Sequence, residues 1–191
     1  MGTRPGQRRD SSPARSILGA LVAVVLGAAV YDASGIVPAV RAAESTEALL
    51  LYTGSVNGFL DQCGCARFPL GGFDRRASYV ASLRRAKPRA TPVLLDVGNF
   101  SDTPGAAGEV KTRAIVEAMN MLGYAVSGVG ERDLAAGSEI FRDVTKHAKF
   151  PFVSTNLIRE RSKKPWLPQR VMLRAGGLRI GVLAVTRYNP S

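Results

Sequence analysis

Strand-length apolar runs alternate with helix-patterned segments along most of this chain, and that alternation restricts its fold more than any single motif does. Ala48 to Thr53 (Ala-Leu-Leu-Leu-Tyr-Thr) is a continuous apolar run, the pattern of a strand buried on both faces. Arg75 to Lys87 carries Ala77, Val80, Ala81 and Leu83 at helical spacing and stops before Pro88, which cannot continue a helix. Thr91 to Val97 reads as the second strand. Glu109 to Leu122 sets Ala114, Ile115, Ala118, Met119 and Leu122 on one face. It ends at Gly123, where a left-handed C-cap is expected. Tyr124 to Ser127 and Phe150 to Ser154 are two more short strands, separated by a helix from Ser138 to Lys146 that buries Ile140, Phe141 and Val144. Strand, helix, strand in this order predicts an α/β fold with a largely parallel sheet and helices on its faces. Arg170 to Arg174 and Leu178 to Val185 flank Ala175-Gly176-Gly177, a hairpin signal that predicts an antiparallel pair finishing the same sheet.

The first 43 residues differ. Arg4, Arg8, Arg9 and Arg15 precede Ile17 to Val30, an unbroken apolar run, which is the layout of a secretory signal. The run is shorter than the roughly 20 apolar residues of a membrane span, and Asp32 stops its extension. Val40-Arg41-Ala42 before Ala43 offers a signal peptidase small residues at suitable offsets. Residues 1–43 therefore read as a signal peptide or, if retained, an N-terminal anchor through residues 17–30. Residues 44–191 are the domain. Arg8-Arg9 lacks the apolar residues that follow a twin-arginine pair, so the ordinary secretory route and a periplasmic or extracellular location are expected. The formal charge is +11, and without the leader 21 basic residues face 13 acidic ones, or +8. Such a surface attracts anions, and an anionic small molecule suits it. Nucleic acid is not expected, because the basic residues fall in scattered pairs such as Arg75-Arg76, Arg84-Arg85 and Lys163-Lys164, with no nucleic-acid module around them.

In parallel α/β sheets, ligands gather at the carboxyl ends of the strands, where loops converge. Gly54 to Gly72, Gly98 to Gly108 and Gly128 to Gly137 are the loops in that place. Asp96, Glu131 and Asp133 lie at or near them as candidate oxygen ligands. An Asp at a strand end also commonly hydrogen-bonds the loop backbone, and Glu131 and Asp133 flank Arg132, an available ion-pair partner.

The same loops carry a resemblance. Tyr52-Thr53-Gly54-Ser55-Val56-Asn57-Gly58 is similar to the Thr-Asn-Asp-x-His-Gly opening of periplasmic 5′-nucleotidases and UDP-sugar hydrolases, within the calcineurin-like metallophosphoesterases. Gly71-Gly72-Phe73-Asp74-Arg75-Arg76-Ala77 resembles that family's Gly-Gly-x-x-Arg-Arg-Ala, and Leu95-Asp96-Val97-Gly98-Asn99-Phe100 its Asp-Ala-Gly-Asp-Phe. Ala118-Met119-Asn120-Met121-Leu122-Gly123-Tyr124, Gly130-Glu131-Arg132-Asp133-Leu134-Ala135-Ala136-Gly137 and Phe150-Pro151-Phe152-Val153-Ser154-Thr155-Asn156 follow in family order. The resemblance implies an α/β/β/α sandwich, here its N-terminal half, and phosphoester hydrolysis by two divalent metal ions. The ligands it implies are substituted: Ser55 stands for the first Asp, Asn57 for the first His, Asn99 for the bridging Asp, and Glu131-Arg132 for an Asn-His pair. A guanidinium set beside paired cations would repel them. The one histidine, His147, lies in a Lys-His-Ala-Lys run at a helix end, so no firm metal site is expected. The family's later Gly-His loops fall beyond Ser191, which makes a second-half partner chain one candidate partner.

Cys63 and Cys65, the only cysteines, form Cys-Gly-Cys in the first loop. This resembles an uncharacterised phosphoesterase-like branch in which Cys-Gly-Cys, or its selenocysteine counterpart, precedes Pro-Leu-Gly-Gly-x-x-Arg-Arg; Pro69-Leu70-Gly71-Gly72 and Arg75-Arg76 repeat that pattern. Two thiols one glycine apart close a strained, easily reduced ring. Redox exchange with a partner, soft-metal ligation and a loop staple all remain open readings. Arg67 nearby would lower a thiol pKa if it faced the sulfurs.

Two functional expectations follow. In one, hydrolysis is weak or lost and the crevice presents Cys63 and Cys65. In the other, Asp96, Asn99, Glu131 and Asp133 form a rebuilt metal site for phosphoester hydrolysis.

Overall fold

The computed structural model describes residues 47–187 apart from 63, 65, 66, 69 and 91. The leader and both cysteines therefore lie outside the described residues. The elements run β1 (Leu49–Thr53), α1 (Phe73–Ala86), β2 (Pro92–Asp96), α2 (Ala106–Leu122), β3 (Tyr124–Gly128), α3 (Ser138–Thr145), β4 (Phe152–Val153), β5 (Val171–Ala175) and β6 (Leu178–Val182). A short 3-10 turn, Arg132–Leu134, precedes α3. Strands β1 to β4 form one parallel sheet in sequential order, as the strand and helix alternation predicts.

Helix α1 stops before Pro88. Gly123 closes α2 in the left-handed region (φ 78°), its N–H reaching the Met119 and Asn120 carbonyls at 3.1 Å. Ile115, Val116, Met119 and Leu122 of α2 join Val80 of α1 and Phe141 of α3 in the core, against Leu94 and Tyr124 of the sheet. Ile140, expected inside with them, is half-buried. Phe100, Phe141, Phe152 and Trp166 continue the core under the loops through ring contacts of 5.2 to 6.5 Å.

Two expectations are corrected. Strand β1 is not buried on both faces: Leu51 packs on the core, but Leu50 and Tyr52 are 44% and 78% exposed. It lies at the sheet edge, so its continuous apolar run finds cover on one side only. The hairpin forms, with Gly176 and Gly177 both at positive φ as a primed turn demands. It is nevertheless a separate two-stranded sheet that does not extend the main one. What ties the chain end to the main sheet is the segment after β6. Thr155 N–H donates to the Ala184 carbonyl at 2.7 Å. The Asn156 carboxamide brackets Thr186 through its N–H and its carbonyl, and the buried Thr186 hydroxyl donates to the Val129 carbonyl. No helix among the described residues is long and apolar enough to cross a membrane.

Candidate functional site

The parallel register sets Thr53 of β1 beside Asp96 of β2, at the carboxyl ends of both strands. Asp96 is 4% exposed. Its Oδ2 accepts from the Thr53 hydroxyl at 2.6 Å and its Oδ1 from Gly98 N–H at 2.8 Å. With the Thr53 proton committed to Asp96, Tyr124 donates to Thr53 Oγ1 at 2.8 Å and itself accepts from Arg76 Nη1 at 2.9 Å. The result is a continuous relay, Arg76 to Tyr124 to Thr53 to Asp96. Arg76 also lies 4.2 Å from the Phe73 ring centroid. The Arg75-Arg76 pair is thus divided: Arg75 is exposed and Arg76 turns inward. Burial pushes the Asp96 carboxyl above its ordinary range, opposed by the Thr53 and Gly98 hydrogen bonds, while the Asp133 charge raises it further and the Arg76 charge lowers it. Burial likewise raises the Tyr124 phenol.

Asp133, also 4% exposed, acts as a clamp between two loops. Its Oδ2 accepts from Asn99 N–H at 2.7 Å and Gly130 N–H at 2.8 Å, and its Oδ1 from Ser101 N–H at 2.9 Å. Asn99 answers through Oδ1, which accepts Arg132 N–H at 3.0 Å. The two loops approach so closely that a Cβ on Gly130 would stand 2.0 Å from Asn99 Oδ1. Burial raises the Asp133 carboxyl, against the pull of these amide donors. Asp133 pairs with backbone, and no ion pair among the described residues involves Arg132.

Ser55, Asn57 and Asn99 share a property that the sequence did not announce: all three sit at positive φ (53°, 52° and 60°). Lys163 is the only other non-glycine residue with such a φ among those described. Left-handed backbone costs a side-chain-bearing residue, least so for Asn, and persists where surrounding structure enforces it. Here Ser55, Asn57 and Gly58 N–H groups donate to the Gly98, Asn99 and Phe100 carbonyls at 2.9 to 3.0 Å. This set of rungs between the first two loops fixes the bend. Ser55 is exposed and Asn57 half-buried.

The polar atoms beyond these bonds lie at Glu131, Arg132 and Ser101, where Oε2, Nε and Oγ are buried without a hydrogen-bond partner. Arg132 and Ser101 line a cavity of about 20 Å³ closed by α2 and α3, room for one water. Neither Ser55 nor Asn57 lines it. Among the described residues, no group of three His, Cys, Asp or Glu side chains is placed to hold a metal ion. His147 is exposed just past α3, where its carbonyl accepts from Asn120 Nδ2 at 2.9 Å.

The Cys-Gly-Cys loop is pinched at its base by an isolated antiparallel bridge between Gln62 and Gly71, and Phe73 N–H donates to the Leu60 carbonyl at 2.9 Å. Gly64, between the cysteines, is exposed and has open space where a Cβ would stand. Arg67 lies 5.6 Å over the Phe68 ring. Thr53 and Tyr124 are the site residues that sequence reasoning missed, and Arg76 was read there only as one of a basic pair. Only the strand-end position of Thr53, level with Asp96, hinted at the relay.

No family model matches the chain. Among curated proteins, it is 27% identical over 157 residues to the snake venom 5′-nucleotidase of Gloydius brevicauda, covering 76% of this chain and 26% of that one. It is 28% identical over 109 residues to a Haemophilus influenzae 2′,3′-cyclic-nucleotide 2′-phosphodiesterase/3′-nucleotidase, covering 53% of this chain and 16% of that one. Of solved structures, the 5′-nucleotidase precursor from Thermus thermophilus superposes with a TM-score of 0.58 at 23% identity, covering 72% of this chain and 28% of that one. The chain thus spans about a quarter or less of the curated relatives it matches. The sheet order, the succession of strand-tip segments and these likenesses point to the 5′-nucleotidase and calcineurin-like phosphoesterase superfamily, with coverage like that of an N-terminal domain of its members.

Proposed function

We propose that this chain is an exported 5′-nucleotidase-like protein in which two-metal phosphoester hydrolysis is weak or lost. In this reading the Cys63-Gly64-Cys65 loop provides thiol redox chemistry, or a pair of soft ligands, at the former active-site crevice. One observation carries the proposal: the oxygen donors at the strand tips are already engaged by the fold, and the two carboxylates are buried. Both Asp96 oxygens, both Asp133 oxygens and Asn99 Oδ1 already accept hydrogen bonds from the chain. Two-metal hydrolysis needs ligands that hold paired cations against the phosphoryl oxygens, and this donor set does not fit a pair. Fold alone does not carry the chemistry.

Export is supported by the basic and apolar leader and by relatives named as a precursor and a venom protein. In the redox form, a Cys63–Cys65 disulfide accepts two electrons and two protons from a partner dithiol. The products are the Cys63 and Cys65 thiols and a partner disulfide. The exposure of Gly64 and the open space at its Cβ position support access by such a partner.

A second reading, a rebuilt oxygen-rich metal site for phosphoester hydrolysis, is favoured by the buried unpaired Glu131 Oε2 and by the retained bends at Ser55, Asn57 and Asn99. Purified protein assayed with added manganese or zinc separates the two. The first expects under one equivalent of bound metal, no turnover of aryl phosphates, and thiols that titrate only after mild reduction. Turnover abolished by Glu131→Gln, which leaves the Asp96 and Asp133 bonds intact, would establish the second.

A further inference from the structure

A cavity of about 560 Å³ opens between α3 and residues 157–166, away from the Asp96 relay. That segment is a small irregular hairpin. It is closed by the Ile158–Pro165 bridge, by Arg159 N–H to the Lys164 carbonyl at 2.9 Å, and by Trp166 N–H to the Leu157 carbonyl at 2.9 Å. Leu134, Leu157 and Trp166 form an apolar wall. The indole is held from behind by Phe141, at 5.6 Å between centroids.

The rim is cationic. Arg142 comes from α3 and Arg159 and Arg161 from the hairpin, against the single carboxylate of Glu160. None of these arginines takes part in the ion pairs found among the described residues. Three guanidinium groups around one cavity repel one another, and a bound anion relieves that repulsion. A planar guanidinium fork matches phosphate oxygens in geometry and charge, and a dianion answers several arginines better than a single carboxylate does. The cavity's size falls in the range of small-molecule sites, which pair apolar walls with a few polar anchors.

We propose that this cavity binds a small organic phosphate bearing a ring, with the ring against Trp166 and the Leu134–Leu157 wall and the phosphate at Arg142, Arg159 and Arg161. The site is separate from the strand tips, and the proposal holds whether or not those loops hydrolyse phosphoesters.

Trp166 is the only tryptophan in the chain, so fluorescence excited selectively at tryptophan reports this cavity. Phenylphosphonate is a suitable probe because it carries ring and dianion with no ester to cleave. Titration of the full chain at low salt is expected to change Trp166 fluorescence saturably, with weaker responses to methylphosphonate, inorganic phosphate and benzoate. Arg159→Ala/Arg161→Ala is expected to weaken binding about tenfold or more, the scale of a lost charge-assisted contact. A control, Arg174→Ala/Arg179→Ala on β5 and β6, removes the same charge outside the cavity and should leave affinity within about twofold. No saturable response up to about 10 mM probe, equal affinity in the cavity variant, or equal losses in both variants would each overturn the proposal. Inorganic phosphate binding as tightly as phenylphosphonate would overturn the ring's part in it.

Discussion

The strand-tip loops and the 157–166 hairpin border the same short turn, Arg132–Leu134, and treat charge in opposite ways. At the strand tips each buried carboxylate is surrounded by donors: Asp133 takes three backbone N–H groups, and Asp96 takes the Thr53 hydroxyl and one N–H. Those charges are spent on holding loops together. At the hairpin, three arginines line a cavity and enter none of the ion pairs found among the described residues. A polar residue at a family's active-site position is therefore not a ligand by position alone. What its oxygens already bond to within the fold bears on that as well.

Removing the Asp133 clamp is the most severe test of that contrast. Asp133→Ala is expected to destabilise the protein by about 3–5 kcal/mol, since it orphans one buried and two partly buried N–H groups at once. Urea denaturation would show it, and a loss under about 1 kcal/mol would mean that the loops are held by something else. Tyr124→Phe cuts the relay in its middle while keeping the ring. Its expected cost is about 1 kcal/mol, the usual net value of one hydrogen bond, read in the same experiment.

Acid titration separates the buried from the surface carboxylates. Burial raises the Asp96 and Asp133 carboxyls above their unfolded values. Their contribution to stability is therefore fully present below the unfolded carboxylate pKa and is lost as pH rises through the folded one. Asp102, hydrogen-bonded by Lys111, and Asp143, hydrogen-bonded by Lys146 and Arg113, are shifted down. Their contribution is present above the unfolded value and is lost on acidification. Asp96→Asn removes one group of the first kind, so its stability should fall less steeply than wild type between about pH 4 and 7. Parallel curves in a pH series of denaturant midpoints would count against a raised Asp96. The smallest effect is expected at the hairpin: Arg159→Ala/Arg161→Ala should change stability by no more than about 0.5 kcal/mol, because exposed side chains outside any ion pair contribute little. A large loss in thermal or urea unfolding would show that these arginines serve the fold.

Much of the fold was legible in the chain. The helical spacing from Ile115 to Leu122, with Gly123 behind it, specified α2 and its cap, because a 3.6-residue period and a left-handed glycine are local properties. Leu49–Thr53 was legible as a strand and illegible as an edge, since apolar content does not say which neighbours arrive. The hairpin turn was likewise local, whereas the failure of β5 and β6 to join the main sheet was not. Asp96 and Asp133 were visible as candidates from their places after strands. Their partners were not: the Asp133 contacts at Asn99 and Ser101 lie 34 and 32 residues back along the chain.

Period, glycine placement and residue identity act over a few residues, and they suffice for the succession of elements and the positions of the loops. Folding in three dimensions added the rest: which oxygens are occupied, that Arg76 turns inward, and that Arg142 joins Arg159 and Arg161 at one cavity. Hydrogen-bond pairing and charge clustering depend on which distant segments meet, and no local pattern records that meeting.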